Sequence, residues 1–164
     1  MTKKYTIEAD FENDVVERLK ACGWKGGASY PSVLKYPTEA ELIQNWVNII
    51  FEHNRKELNN VPLNQEEIDD LLLKIRGKTP CEINRIINSR QIDLVRKNKA
   101  DKEFFNKTVY LEIYDRRKIQ DGETVFQIAE QPIFERQTSM DRDRRGDLML
   151  LINSLMLSGL SVIK

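Results

Sequence analysis

The residue types best placed to do chemistry lie in one stretch, Arg144-Arg145-Gly146-Asp147-Leu148-Met149-Leu150-Leu151-Ile152-Asn153. Asp147 stands where a turn leads into an apolar strand. A carboxylate taken out of water there is costly unless it is hydrogen-bonded, paired or bound to a cation. The residues alone leave two outcomes open. Asp147 bonds its own loop and pairs with Arg144 or Arg145, or it serves as a metal ligand. The basic residues form two clusters, Arg116-Arg117-Lys118 and Arg142 to Arg145. In the second, Arg142 and Arg144 alternate with Asp141 and Asp143, so much of that charge can be paired internally. The same cluster leads into Asp147, which suits a loop that touches phosphate. DNA contact and a solvated turn are the two readings of it.

Other reactive groups stand alone. His53, the single histidine, has no His or Cys partner at ligand spacing, so it reads as structural or capping. Cys22 and Cys81 form no Cys-x-x-Cys pair, which argues against a zinc ribbon or a disulfide scaffold. Two isolated thiols fit a reducing, cytoplasmic setting. No Gly-x-x-x-x-Gly-Lys-Ser/Thr loop occurs, so no ATP site is expected. Neither a Gly-x-Ser-x-Gly elbow nor a Cys–His pair points to nucleophilic catalysis. The 164 residues carry 26 basic and 26 acidic side chains, so any DNA contact must be local. No apolar run reaches the roughly 18 residues of a membrane span, and no membrane partner is expected.

These side chains need elements to position them, and the first two-thirds of the chain read as helices. Phe11, Val15, Leu19 and Cys22 recur at helical spacing, and Gly23 stops that helix. Thr38-Glu39-Ala40-Glu41 fits a capping box, and Leu42, Trp46, Ile49, Ile50 and His53 give the next helix its buried stripe. A third helix is expected from about Gln65 to Ile75, capped by Asn64 and ended by Gly77. A fourth begins at Thr79-Pro80-Cys81-Glu82. Around Phe104 the period turns from helical to alternating. Val109, Leu111 and Ile113 face one way and Tyr110, Glu112 and Tyr114 the other, as in a half-buried strand. A second strand follows at Val125 to Ile128. Leu148 to Ile152 is apolar on both faces and is expected in the middle of a sheet. Leu160 to Ile163 suits a fourth strand. Helices followed by strands predict an α+β fold, with the helices packed on a small mixed sheet. One domain is expected over 1–164, helical over about 8–96 and strand-rich over about 104–164.

Three segments carry a family resemblance: Tyr110-Leu111-Glu112-Ile113-Tyr114-Asp115, Gln127-Ile128-Ala129-Glu130-Gln131-Pro132-Ile133-Phe134, and Arg142-Asp143-Arg144-Arg145-Gly146-Asp147 with Leu150-Leu151-Ile152-Asn153. Together they resemble the N-terminal nuclease domain of the restriction (R) subunit of type I restriction enzymes, which has a PD-(D/E)xK core. Phe11-Glu12 through Leu19, with Gly23-Trp24, looks like that family's opening helix. The resemblance runs with gaps as far as Asn153. It implies Mg²⁺-dependent cleavage of DNA, with modification and specificity subunits as further partners. In that family a strand-borne Asp and, on the next strand, a Glu two residues before a Lys converge. The carboxylates hold Mg²⁺, a hard cation that prefers oxygen. The metal polarises the phosphate and the Lys positions water or stabilises charge. By the motif match Asp147 takes the first position, catalytic and metal-ligating. Arg142, Arg144 and Arg145 are the residues expected to meet DNA beside it. Glu12 and Glu17 lie on the helix from which related nuclease folds often offer a Glu to the metal. Solvated surface carboxylates are the simpler reading of both.

After Asn153 the chain leaves the family pattern, which continues with Gly, an apolar residue, Pro, and a strand bearing Glu-x-Lys. Aligned without a gap, the Glu position falls on Ser161 and the Lys position on Ile163. With one extra residue Lys164 takes the Lys position, as a catalytic candidate, and Val162 the Glu position. No acid follows Asp147 in this sequence. Serine is a weak neutral ligand and valine is none. This polypeptide is therefore expected to bind Mg²⁺ weakly and not to cleave DNA by itself. The abrupt change implies a frameshift or an early end that replaced the second motif strand and truncated the sheet. A non-catalytic assembly or DNA-binding role is the alternative.

Overall fold

The computed structural model describes residues 8–76, 78–89, 91–113, 125–134, 144–145 and 147–152. Helices run over Glu8–Ala21 (α1), Glu39–His53 (α2), Gln65–Ile75 (α3) and Pro80–Ser89 (α4). Strands run over Val33–Lys35 (β1), Gln91–Val95 (β2), Thr108–Glu112 (β3), Phe126–Glu130 (β4), Ile133–Phe134 (β5), Arg144–Arg145 (β6) and Leu148–Ile152 (β7). The fold is α+β, as expected. No described helix is long and apolar enough to cross a membrane. The described residues fall into two compact units. The first holds 8–42, 125–134, 144–145 and 147–152, and the second holds 43–76, 78–89 and 91–113.

The first unit begins with α1. Gly23, at φ 105°, ends it in a left-handed turn in which Trp24 N donates to Leu19 O and Gly23 N to Lys20 O, both at 3.1 Å. The chain then meets β4. Gly26 N donates to Phe126 O at 2.8 Å, and a Cβ on Gly26 would sit 2.3 Å from Tyr30 O, so only glycine fits. Trp24 lies edge-on to Phe126, with ring centroids 5.4 Å apart. The sheet of this unit has the order β1-β4-β7, with β1 parallel and β7 antiparallel to β4. β4, rather than β7, is thus the middle strand among the described residues. Leu42, Ala129 and Leu151 form its buried cluster, with Leu34, Phe134 and Met149 against them. β5 and β6 make a separate antiparallel pair. The expected strand at Leu160 to Ile163 lies outside the described residues.

The second unit packs Trp46, Val47, Ile50, Leu58, Ile68 and Leu71 against the β2–β3 hairpin, whose Ile92, Leu94, Val109 and Leu111 face inward. Trp46 is buried, and its Nε1 has no hydrogen-bond partner among the described residues. Gln91–Val95 is a strand inside the stretch expected to be helical. Its burial alternates residue by residue, so Ile92 and Leu94 enter the core while Gln91, Asp93 and Val95 face out. Asn54 joins the end of α2 to β3. Its Nδ2 donates to Glu112 O at 2.9 Å, and its Oδ1 accepts from Glu112 N at 2.6 Å.

All three expected helix starts form as capping boxes. Glu41 accepts from Thr38 N at 2.7 Å, Glu67 from Asn64 N at 2.9 Å and Glu82 from Thr79 N at 2.8 Å. The backbone N–H of Thr38, and then its hydroxyl, hold the Glu41 carboxyl below the usual carboxylate range. Thr79 does the same to Glu82.

Glu67 has a second task. It is fully buried, and both its oxygens accept from Arg96 Nη1 at 3.0 Å. Its Oε1 also takes Lys97 N at 2.7 Å and Asn98 N at 3.1 Å. Arg96, itself fully buried, gives Nε to Asp101 at 3.0 Å and Nη2 to Val61 O at 3.0 Å. Two carboxylates share one guanidinium here, and backbone N–H groups of Lys97, Asn98 and Phe104 supply the further hydrogen bonds that make the buried ions tolerable. Arg96→Ala would strand two buried carboxylates and is expected to cost about 3–5 kcal/mol in denaturant unfolding. Breaking the exposed Arg55–Glu52 pair at 2.6 Å should cost under about 1 kcal/mol. Burial pushes the Asp101 carboxyl up, but bonds from Phe104 N, Arg96 and Asn59 outweigh it and hold the group below its ordinary value. A depressed carboxylate stabilises the fold above its unfolded pKa of about 3.9, and that contribution fades as pH falls through the lower folded value. The urea midpoint should therefore drop below about pH 4, with a shallower drop in Asp101→Asn.

Candidate functional site

The register of the first unit's sheet brings three strand ends together. Lys35 of β1 lies beside Glu130 of β4, and Glu130 lies opposite Leu148 of β7. One step beyond each stands Tyr36, Gln131 or Asp147. The first two share an unusual backbone. Tyr36 has φ 51° and Gln131 φ 47°, and each precedes a buried proline, Pro37 or Pro132. Bulky residues rarely adopt this left-handed region, and a following proline restricts them further. Such a residue costs on the order of 1–3 kcal/mol. The ladder continues on both sides of the two kinks. Tyr36 N donates to Glu130 O at 2.8 Å, Ile133 N donates to Pro37 O at 2.9 Å, and Thr38 bridges Ile133 in parallel. Neighbouring strands therefore bend at one level by the same device.

Gln131 joins the backbone of Asp147 to the side chain of Glu12. Its N–H donates to the Asp147 carbonyl at 2.9 Å, closing the β4–β7 ladder where β7 begins. Its Nε2 donates to Glu12 Oε2 at 3.1 Å, which ties α1 to the same sheet end. Asp147 is exposed at that point. Next to it, Lys35 Nζ lies 3.8 Å from Glu130 Oε2, an ion pair too long to be a hydrogen bond.

The expected site residues meet this geometry unevenly. Asp147 stands at the start of β7, as expected. Arg144 and Arg145 form β6, opposite Phe134 and Ile133, and their side chains lie outside the described residues. Arg142 and Lys164 also lie outside them. Glu12 is a member of the cluster through Gln131, whereas Glu17 pairs with Lys20 at 2.8 Å on the exposed side of α1. His53 ends α2 in the other unit, and Cys22 and Cys81 are exposed free thiols. Sequence reasoning missed the roles of Gln131, Tyr36 and Lys35. The available signal was the pair of X-Pro steps, Tyr36-Pro37 and Gln131-Pro132, each closing a short extended run.

Among the described residues no three His, Cys, Asp or Glu side chains converge closely enough to hold a metal ion. Residues 148–164 contain no acid.

No family model matches the chain. Among curated proteins, the type I restriction enzyme SsaAORF53P endonuclease subunit of Staphylococcus saprophyticus subsp. saprophyticus is 29% identical over 153 residues. The match covers 92% of this chain and 14% of that protein, so the chain spans about one-seventh of the relative's length.

Asp147 contributes its carbonyl to the ladder and keeps its side chain exposed. Asp147→Ala is therefore expected to move the thermal midpoint by no more than about 2 °C. Calorimetry would check this, and a larger drop would mean that the carboxylate is structural.

Proposed function

We propose that the chain is the nuclease-type portion of a type I restriction endonuclease subunit, one that engages DNA and partner subunits but lacks half of the cleavage site. The observation that carries this reading is Asp147 at the start of β7, anchored by Gln131 and accompanied by Glu12. The identity to the staphylococcal subunit runs across nearly the whole chain and supports it. So does the α+β fold with a mixed sheet.

Phosphodiester hydrolysis of this type needs two carboxylates on a hard cation, so that charge on the phosphate and a bound water are both stabilised. Asp147 supplies one. Ser161 or Val162 stands where the other belongs, and Lys164 is the one candidate for the lysine. What the chain retains is surface for DNA. Arg142, Arg144 and Arg145 precede Asp147 and suit phosphate contact, which positions a duplex without reading its sequence. Sequence choice then belongs to a specificity subunit, and assembly with it and the modification subunit is the remaining role.

The test is supercoiled plasmid with purified chain and Mg²⁺ or Mn²⁺, run beside Asp147→Ala and a gel-shift series. Neither protein should nick the plasmid, and both should retard DNA. Replacing Arg142, Arg144 and Arg145 by Ala should weaken binding and lower the salt slope by about 2–3. Metal-dependent nicking that Asp147→Ala abolishes would overturn the loss of catalysis. No retardation at low salt would overturn the DNA role.

A further inference from the structure

Among the described residues, five non-glycine residues have a left-handed backbone: Tyr36, Asn59, Asn60, Asn106 and Gln131. Asparagine tolerates that region through its short polar side chain. Gln131 has a use for its side chain, which holds Glu12. Tyr36 has no such explanation. It is 55% exposed, stacks on no ring and gives its hydroxyl to no partner among the described residues. Its backbone work, donating to Glu130 O through the kink, could be done by glycine without strain. An aromatic ring kept exposed on a strained backbone points to a task for the ring itself.

Its location narrows the task. Tyr36 and Asp147 close the same end of the sheet, on the strands either side of β4. Two strand spacings separate their backbones by roughly 10 Å. An exposed aromatic face at the sheet end where DNA is proposed to approach suits a nucleobase, because bases stack on such a face whatever their sequence. Bases inside an intact duplex are already stacked on one another, so the ring can engage only an unpaired one.

We infer that Tyr36 is a stacking platform for an unpaired nucleobase, holding a single-stranded or gapped segment of DNA beside Asp147. The inference rests on the DNA-binding reading above and adds a ligand form to it.

Fluorescence anisotropy of the full chain with labelled single-stranded, gapped and intact duplex oligonucleotides tests this. Stacking on an aromatic side chain is lost on truncation, so Tyr36→Gly and Tyr36→Ala should bind single-stranded and gapped DNA about 10-fold or more weakly. Tyr36→Phe should bind like wild type, and affinity for intact duplex should not change. Tyr36→Gly should melt no lower than wild type, which separates lost binding from lost folding. Wild-type DNA binding that Tyr36→Gly and Tyr36→Ala match on every substrate would sink the platform and leave the DNA reading intact. That is the pattern expected of an aromatic that docks protein. Failure of the wild type to bind any of the three DNAs would sink both.

Discussion

The backbone N–H of Gln131 donates to the carbonyl of Asp147, and that bond decides where β7 starts. A sheet register is strict, because a slip of one residue moves every side chain to the other face. With Glu130 opposite Leu148, Asp147 must stand at the sheet end, and Lys35 must lie beside Glu130 on the far strand. The kink at Gln131 then releases its side chain to Glu12 on α1. A single residue thus fixes strand register, the start of β7 and the approach of a helix. The parallel kink at Tyr36 lets β1 follow β4 through the bend and keeps both strands paired beyond it.

The two units are held by different physics. In the first, unusual backbone is offset by an unbroken ladder of hydrogen bonds. In the second, an arginine with no exposure is satisfied on all sides. Arg96 reaches α3 through Glu67, the loop after β2 through Asp101 and the preceding turn through Val61. Removing any one partner leaves a charge where water does not reach. Conformational strain accordingly sits where DNA is proposed to approach, and the buried, hydrogen-bonded ions sit elsewhere. That division is common in proteins whose sites are strained and whose scaffolds are not.

Much of the fold was legible because its signals are local. The pairs Thr38–Glu41, Asn64–Glu67 and Thr79–Glu82 sit three residues apart and mark helix starts by themselves. The alternation at Val109 to Ile113 marks β3 for the same reason. β2 escaped notice because its five residues follow a helix directly, and only pairing with β3 distinguishes them from its continuation. Asp147 was visible as a lone acid before an apolar run. Its companions were not, since Gln131 and Glu12 are 119 residues apart and neither type announces the pairing. Glu67 was hidden in another way: its cap role accounts for it locally, and nothing nearby hints at Arg96.

The two tryptophans divide evenly, Trp24 in the first unit and Trp46 in the second. Trp46 is deep in an apolar cluster with an indole nitrogen that bonds nothing among the described residues, while Trp24 is half-covered against Phe126. An indole in dry surroundings emits at shorter wavelength than one in contact with water. Each unit therefore carries its own tryptophan as an optical reporter, buried in the second unit and half-covered in the first. The order in which the units come apart can be followed in the natural light of the chain.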